Sequence, residues 1–392
     1  MKDYNLLVFV LSLFINILII KISAKYGIFL DPTSGNKVQS VHKNKTPRAG
    51  GISIYTLSLT FSYFTSDTMF LIILSFLPSF AYGLYEDIKG DTPQKFRLLI
   101  MALSTWLATI VTGVKVESLG FIDLPQITQI PFTVFGVIGL ASAINFIDGL
   151  NGLASGVTML TFFAMGVAAH ATGNTELAMT MYMIASSMLG FFVFNFPYGR
   201  IFMGDAGAYF LGYMLAMSSS ALVLHNPEIS PWFPVALLCY PIIETFVTMW
   251  RRYKRLKKRK ISFFTAEKVH LHSLLYSRVF KNNSIASMSI VLIFSLNAFL
   301  AYQLRKSHIE SALLFTVGSL VYLYFYKNTV NFKLGRIRIN TVNAIKIYKN
   351  DLGKISSNMP VPGRMFRKAE LAYNSDEQTI NSESFEEVRS LK

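Results

Sequence analysis

The chain has 392 residues, of which 52% are hydrophobic and only 15% are charged. Its mean hydropathy of +0.42 excludes an ordinary soluble domain of this length and indicates a membrane protein. The single cysteine, Cys239, excludes a disulfide framework and a cysteine-based zinc site, and we expect it to be a small buried hydrophobe. Few positions carry the formal net charge of +15, so their placement along the chain is informative.

Apolar stretches of membrane-spanning length recur along the chain and predict an all-α polytopic membrane protein with about 11 transmembrane helices. The second stretch is short and rich in serine and threonine. In chain order the stretches cover residues 5–22, 50–66, 69–85, 97–114, 132–147, 153–171, 177–194, 208–224, 232–250, 285–304 and 309–326.

Lysine and arginine are concentrated in three loops that fall on the same side of the membrane when the helices are counted. These loops are 23–49, the stretch after the third helix, and the loop that begins with RRYKRLKKRK at 251–260. Basic loops face the cytoplasm, so the N-terminus is predicted to lie outside and the C-terminal tail inside. A cleaved signal peptide is the alternative for the first helix, but it would put the basic first loop outside.

The composition changes after the last apolar stretch, so we expect a transmembrane catalytic domain over 1–326 and a cytoplasmic tail over 327–392. Residues 331–349 alternate weakly between polar and apolar, which favours a small β element. Residues 373–392 are polar and acidic, which is typical of disorder.

Four polar clusters interrupt the apolar pattern, and all of them fall on the predicted cytoplasmic side. Chance would scatter such clusters over both membrane faces, so their placement predicts one cytoplasmic site. The clusters are YGLYEDIKGDTPQKFRLL (82–99), NFIDGLNGLASG (145–156), FNFPYGRIFMGDAGAYFLG (194–212) and EKVHLHSLL (267–275).

The clusters contain the chemical groups of a magnesium-dependent diphosphate site. Glu86, Asp87, Asp148 and Asp205 are carboxylates near helix ends, and carboxylates together with substrate phosphates are the usual ligands of Mg²⁺. Asn145 lies three residues before Asp148, so a helix end would present both on one face. Neighbouring glycines allow a phosphate to approach backbone N–H groups.

Each polar residue also has a purely structural interpretation. Glu86 and Asp87 could be a solvated helix end, and Asp148 could be a turn residue. Asp205 is expected to be the N-cap of the eighth helix, which is compatible with metal binding. The histidines 270 and 272 are two residues apart, so a helix would not place them on one face. The predicted co-location of the clusters favours a site.

With these residues in view, the chain resembles the polyprenyl-phosphate N-acetylhexosamine-1-phosphate transferases, the WecA-like and MraY-like membrane enzymes of glycosyltransferase family 4. The similarity runs from about residue 30 to about residue 280, in five motifs in the order of the family. The motifs are HKNKTPRAGG (42–51), YEDIKGDTPQKFRLL (85–99), NFIDGLNGLASG (145–156), FNFPYGRIFMGDAG (194–207) and FFTAEKVHLHS (263–273).

The resemblance implies a reaction in which undecaprenyl phosphate attacks the β-phosphorus of a UDP-N-acetylhexosamine. Mg²⁺, or Mn²⁺ in its place, assists, UMP leaves, and a lipid-linked sugar diphosphate initiates a surface glycan such as O-antigen. It also implies a multi-pass protein of the bacterial inner membrane whose active site faces the cytoplasm. The partners are then the two substrates and the lipid bilayer, without nucleic acid, and a homodimer is one open option.

The resemblance also implies roles for individual residues. Asp205 and Asp87 correspond to the metal site, and Asp87, Glu86 and Asp148 to the catalytic carboxylates. The residues implied in substrate binding are Asn145, Asn151, Asn195, Gly204, His270, His272, Arg48 and Lys95.

The chain departs from the family pattern at four positions. Glu86 and Asn151 stand where the family has Asp, Glu267 replaces the Asp of the histidine motif, and Ser273 replaces its third residue. Ser273 argues against an MraY-type muramoyl-pentapeptide substrate. Asn151 removes one negative charge, so its role should be positional.

Two other classes of protein are alternatives to a transferase. A secondary transporter of an anionic or lipid-linked solute would place ionisable residues near the membrane midplane, often in duplicated halves, and no duplication is visible in the sequence. A membrane scaffold would not need the acidic residues. The sequence does not indicate which N-acetylhexosamine is used.

Overall fold

The structure is a computed structural model, and it describes residues 4–30, 46–90, 92–260 and 269–331. Most of the basic first loop, Glu267 and the two predicted tail segments lie outside these residues. The chain divides after Phe325 into two units.

Each of the predicted apolar stretches contains helix, and two of them are broken. The third stretch forms α3 and α4, which meet at Phe76 with a bend of 42°. The ninth forms α10 and α11, which meet at Leu238. Over the described residues the α-helices are α1 (Asn5–Tyr26), α2 (Gly50–Ser62), α3 (Asp67–Ser75), α4 (Leu77–Lys89), α5 (Gln94–Thr112), α6 (Gln126–Ile147), α7 (Leu153–Ala171), α8 (Thr175–Asn195), α9 (Gly204–His225), α10 (Trp232–Leu237), α11 (Cys239–Arg259), α12 (Leu271–Leu274), α13 (Asn283–Gln303) and α14 (His308–Asn331).

Eight of these helices are long and apolar enough to cross a membrane, and the bent pair α3–α4 makes a ninth if it counts as one span. α2 has 13 residues, and α11 carries the basic run at its C-terminal end, which explains why neither is among the eight. The all-helical, polytopic membrane fold is therefore confirmed. The count of eleven spans and the orientation of the termini stay predictions.

α9 is the centre of the bundle, and it packs against α2, α4, α6 and α7. Most of its side chains are buried, including those of Tyr209, Phe210 and Tyr213. Small residues let its neighbours approach closely: a Cβ on Gly51 of α2 would lie 2.5 Å from the Cα of Gly207. Such close contacts replace the hydrophobic driving force that membrane helices lack. They also fix the start of α9 against the ends of its neighbours.

We define residues 269–274, which follow α11 in the chain, as the histidine segment. α11 is followed, after the residues that are not described, by this segment and a π-helical turn at Leu275–Phe280. Cys239 is buried at the start of α11, as expected.

Candidate active site

The segment before α2 is joined by backbone hydrogen bonds to the segment before α9. The N–H of Phe202 donates to the carbonyl of Pro47 at 2.8 Å, and the N–H groups of Gly50 and Gly51 donate to the carbonyls of residues 202 and 203. This pairing carries Arg48 to the start of α9. It brings the first and fourth sequence motifs together.

Asp87 of α4 holds the start of α9. Its carboxylate accepts hydrogen bonds from the backbone N–H groups of Asp205 at 2.8 Å and Ala206 at 3.1 Å. A carboxylate at this position complements the positive end of the helix dipole. The sequence predicted Asp205 itself as the N-cap, but α9 begins at Gly204 and the capping carboxylate comes from another helix.

Gly204 makes this capping contact possible. Its φ is +79°, and a Cβ there would lie 2.5 Å from the carbonyl oxygen of Arg48 and 2.6 Å from Oδ2 of Asp87. Both the backbone conformation and the lack of space require glycine. Contact of Gly204 with a substrate stays a prediction.

Asp205 lies in the first turn of α9 and is the less buried of the two aspartates. Its Oδ1 accepts a hydrogen bond of 2.9 Å from Nδ2 of Asn145, and its Oδ2 lies 3.4 Å from the Arg48 guanidinium. Arg48 also lies 3.7 Å from Oδ1 of Asp87. Residues from two other motifs thus contact the carboxylate of Asp205, and Asp87 from a third contacts its backbone.

Glu86 and Asp87 have different contact partners. It forms a 2.9 Å ion pair with Arg97 of α5, whose guanidinium lies 4.6 Å from the ring centroid of Tyr209 on α9. Lys95, which the resemblance implied in substrate binding, lies exposed in the first turn of α5. Arg97 is the cation that the structure brings to Glu86.

The carboxylates of this group fit a divalent cation. Asp148 is exposed just beyond α6, and the charged groups that act on it are Arg48 and Asp205. In the described part of the chain, Asp87 and Asp205 thus both lie within ion-pair distance of the single Arg48 guanidinium. No set of three or more metal-ligating side chains is preassembled among the described residues. Mg²⁺ does not need one, because it is usually held by one or two carboxylates and substrate phosphates.

The turn between α6 and α7 is fixed by two buried asparagines. Nδ2 of Asn151 donates to the Pro197 carbonyl at 3.0 Å, and Oδ1 of Asn195 accepts from the N–H of Gly152 at 2.7 Å. Nδ2 of Asn195 donates to the Ile201 carbonyl at 2.9 Å. These contacts give both asparagines a positional role. Contact of either with a substrate stays a prediction.

The histidine segment packs beside the same turn. The rings of His270 and His272 are stacked, with centroids 5.3 Å apart and 8° between the planes. The rings meet although a helix would not place them on one face, because His270 precedes α12 in an extended conformation. A Cβ on Gly149 would lie 2.5 Å from Nε2 of His272, so this glycine leaves room for the ring.

His272 is neutral at physiological pH. Burial lowers its pKa to about 3, and the positive charges that His270 and Arg251 can carry act in the same direction, against the opposing effect of Glu244. A neutral ring has one donor nitrogen and one acceptor nitrogen. Its Nδ1 lies 3.5 Å from the hydroxyl of Tyr240.

Sequence reasoning missed Glu244 of α11 and Tyr322 of α14. Glu244 is fully buried and contacts His270, and Tyr322 donates to Glu244 at 2.7 Å. The sequence did contain a signal for Glu244, since it is the only charged residue in the apolar stretch 232–250. An ionisable residue inside such a stretch is usually functional.

The fold and the site define a class of protein: a polytopic membrane protein with carboxylates, an arginine and two histidines gathered at one end of its helix bundle. Comparison with known proteins agrees with this class. The sequence profile described as Glycosyl transferase family 4 matches residues 69–223. This match and the curated relatives support the resemblance to the WecA-like and MraY-like transferases that the five motifs predicted.

Several curated proteins are similar over most of their length. The probable undecaprenyl-phosphate N-acetylglucosaminyl 1-phosphate transferase of Bacillus subtilis (strain 168) is 29% identical over 280 residues, covering 68% of this chain and 76% of the relative. The decaprenyl-phosphate N-acetylglucosaminephosphotransferase of Mycobacterium leprae is 28% identical, over 63% of this chain and 70% of the relative. The undecaprenyl-phosphate alpha-N-acetylglucosaminyl 1-phosphate transferase of Salmonella typhi is 26% identical, over 65% and 71%. These relatives do not favour the transporter alternative.

Proposed function

We propose that this protein transfers a sugar 1-phosphate from a UDP-N-acetylhexosamine to undecaprenyl phosphate at the cytoplasmic face of the bacterial inner membrane. UMP is released, and the lipid-linked sugar diphosphate initiates a surface glycan. The names of the relatives support N-acetylglucosamine as the first sugar to test. The observation that carries the proposal is the position of Asp205 at the start of α9, beside Asn145, Arg48 and Asp87.

The site contains the charges that phosphoryl transfer requires. Mg²⁺, when bound, would neutralise charge on the diphosphate of the donor, and Asp205 would hold it. Asp87 would keep Asp205 in place through the backbone of α9, and Asn145 would orient its carboxylate. Arg48 would attract phosphate oxygens, since a guanidinium donates several hydrogen bonds at once. This arrangement supplies positioning and electrostatic stabilisation, which are the main contributions to phosphoryl transfer.

The acceptor does not require a strong base in this site. The second pKa of a phosphate monoester is about 6, so the acceptor phosphate is largely a dianion at neutral pH. Neutralising its repulsion from the donor therefore matters more than removing a proton. Glu86, the acidic residue next to Asp87, accepts a hydrogen bond from Arg97, and this contact suits a role in charge balance.

The experiment that tests this proposal follows UMP release and lipid product with purified protein, polyprenyl phosphate and a panel of UDP-sugars. We expect turnover with UDP-N-acetylglucosamine in Mg²⁺ or Mn²⁺, and its loss in excess chelator. Asp205→Asn should lower kcat by about a hundredfold or more, as removal of one electrostatic contact does in other enzymes.

Asp123→Asn is the matched control, because Asp123 is exposed and lies in a different loop, between α5 and α6. It should keep the wild-type rate. Wild-type turnover in chelator, or a folded and fully active Asp205→Asn variant, would overturn the metal assignment. Absence of product with every UDP-sugar would overturn the proposed function.

A further inference from the structure

Glu244 is a fully buried carboxylate whose two oxygens are surrounded by donors. Oε1 accepts from Nδ1 of His270 at 3.0 Å and from the hydroxyl of Thr248 at 3.4 Å. Oε2 accepts from the backbone N–H of Leu271 at 3.1 Å and from the hydroxyl of Tyr322 at 2.7 Å. A buried carboxylate is costly unless it is satisfied in this way, so the contacts specify one arrangement.

The donors come from three parts of the chain that are far apart in sequence. Thr248 lies one turn after Glu244 on α11, Leu271 belongs to the histidine segment, and Tyr322 belongs to α14. The carboxylate therefore joins the histidine segment to two helices of the bundle. Glu244 binds both the side chain of His270 and the backbone N–H of Leu271, so the histidine segment cannot rotate about this carboxylate.

His270 is the residue whose orientation this network fixes. Because Nδ1–H donates to Glu244, Nε2 at the opposite edge of the ring is the nitrogen that can act on a substrate. The ring is confined on its faces, since it stacks on His272 and lies 6.0 Å from the ring of Phe146. Phe146 directly follows Asn145, which donates to Asp205. His270 therefore packs against α6, the helix that also carries Asn145, the hydrogen-bond partner of Asp205.

We propose that Glu244 is a positioning residue for recognition of the donor: it holds His270 so that Nε2 faces the diphosphate of the nucleotide sugar. With both ring nitrogens protonated, the ring donates one hydrogen bond from Nδ1 to Glu244 and one from Nε2 to a phosphate oxygen. The inference rests on the proposed function, because a nucleotide sugar is the ligand. It assigns to α11 and α14 a part in substrate recognition that the motifs do not contain.

The test compares Glu244→Gln with the wild-type protein in the full reaction. Glutamine keeps the volume but removes the charge, and its amide group cannot accept from all four donors. We expect KM for UDP-N-acetylglucosamine to rise by about tenfold to a hundredfold, the effect of losing a charged hydrogen bond. KM for polyprenyl phosphate should stay within about twofold, because the acceptor does not contact His270 in this proposal. Glu244→Asp keeps the charge and should be intermediate.

A double-mutant cycle with His270→Ala separates positioning from a general structural effect. If Glu244 acts through His270, the double variant should lose no more than His270→Ala alone. Losses that multiply, or equal rises in both KM values, would overturn the inference. Tyr322→Phe removes one donor without touching His270 and should change KM for the donor by less than about threefold. An effect as large as that of Glu244→Gln would mean that the carboxylate serves the packing of α14 instead.

Glu228→Gln is the control for the chemical change, since Glu228 is exposed and pairs with Lys306 away from the site. If Glu244→Gln does not yield folded protein by size-exclusion chromatography, Glu244→Asp takes its place in the cycle, with the same outcomes. The two proposals fail separately. An inactive wild type would overturn the proposed function, whereas an active wild type with an unchanged Glu244→Gln variant would overturn this inference alone.

Discussion

Neighbouring carboxylates have different roles at the scale of single residues. Asp87 accepts two backbone hydrogen bonds at the start of α9, whereas Glu86, one residue before it, pairs with Arg97 on α5. On a helix, consecutive side chains point about 100° apart, so the two acids necessarily face different neighbours. Their adjacency in sequence therefore does not make them a functional pair.

The first prediction separates these two acids by substitution. Asp87→Asn puts an amide N–H₂ where a carboxylate oxygen now accepts N–H groups, so it should displace Asp205 and lower kcat by about a hundredfold or more. Glu86→Gln keeps the hydrogen bond to Arg97 and should stay within about tenfold of wild type. Steady-state kinetics at saturating substrates, over a range of pH, measure both. If Glu86→Gln alone removes activity together with a basic limb of the pH profile, Glu86 is a general base.

The second prediction concerns His272 and acid stability. The pKa of this histidine is about 3 in the folded protein, below its usual value of about 6.5. The unfolded chain binds a proton below about pH 6.5 that the folded protein excludes, so stability is complete above that pH and falls as the pH drops towards 3. At pH 5 the loss should be about 2 kcal/mol.

Thermal unfolding in detergent between pH 7 and pH 5 measures this loss. His272→Asn removes the titrating group and should flatten that part of the stability profile. A variant that loses as much stability as wild type over the same interval would show that the acid sensitivity comes from other groups.

At the scale of elements, the site depends on how closely α4 and α9 approach each other. A Cβ on Gly83 of α4 would lie 2.6 Å from the backbone Cα of Ala206. Backbone cannot move aside as the end of a side chain can, so any larger residue would push the two helices apart. One turn later on α4, Asp87 needs this approach to reach the N–H groups of α9.

The third prediction is that Gly83→Ala is far more damaging than alanine in an open helix position. It should lower activity by about tenfold or more, because it moves Asp87 away from α9. Gly139→Ala of α6 is the matched control, since its Cβ would meet nothing within 4 Å. The control should keep activity and gain up to about 1 kcal/mol of stability. Equal activity of both variants would contradict the close-packing argument.

At the scale of the whole molecule, the polar clusters of the sequence gather at one end of the bundle. Arg48, Asn145 and Asp87 all lie within reach of Asp205 or its backbone, although they come from three different loops or helix ends. This end is the one that the basic loops predict to face the cytoplasm. A nucleotide donor arrives from water while the lipid acceptor stays in the bilayer, so a site at a membrane face suits both.

The fourth prediction tests this orientation with single cysteines. Replacing the one native cysteine, Cys239, by alanine gives a background for Lys257→Cys at the basic end of α11 and Glu228→Cys between α9 and α10. In cells with a permeabilised outer membrane, a membrane-impermeant maleimide should label position 228. It should label position 257 only after the inner membrane is permeabilised as well. Labelling of position 257 from the periplasmic side would reverse the topology.

The sequence by itself predicted the class of fold, most of the elements and the resemblance to a family. Apolar runs of spanning length must become helices in a bilayer, because every backbone polar group there has to be satisfied within its own segment. The five motifs carried the resemblance to the family, and the polar clusters had already singled out Asp205, Asp87 and Asn145. These features are local, so they can be read along the chain.

Only the tertiary structure decided which groups meet. It showed that Asp87 caps α9 from another helix, that Arg97 and not Lys95 pairs with Glu86, and that the two histidines stack. It also revealed Glu244 and Tyr322, which are 78 residues apart and share a hydrogen bond. The physical reason is that side-chain partners are set by helix packing and by breaks such as the one at Leu238. Neither leaves a periodic pattern in the sequence.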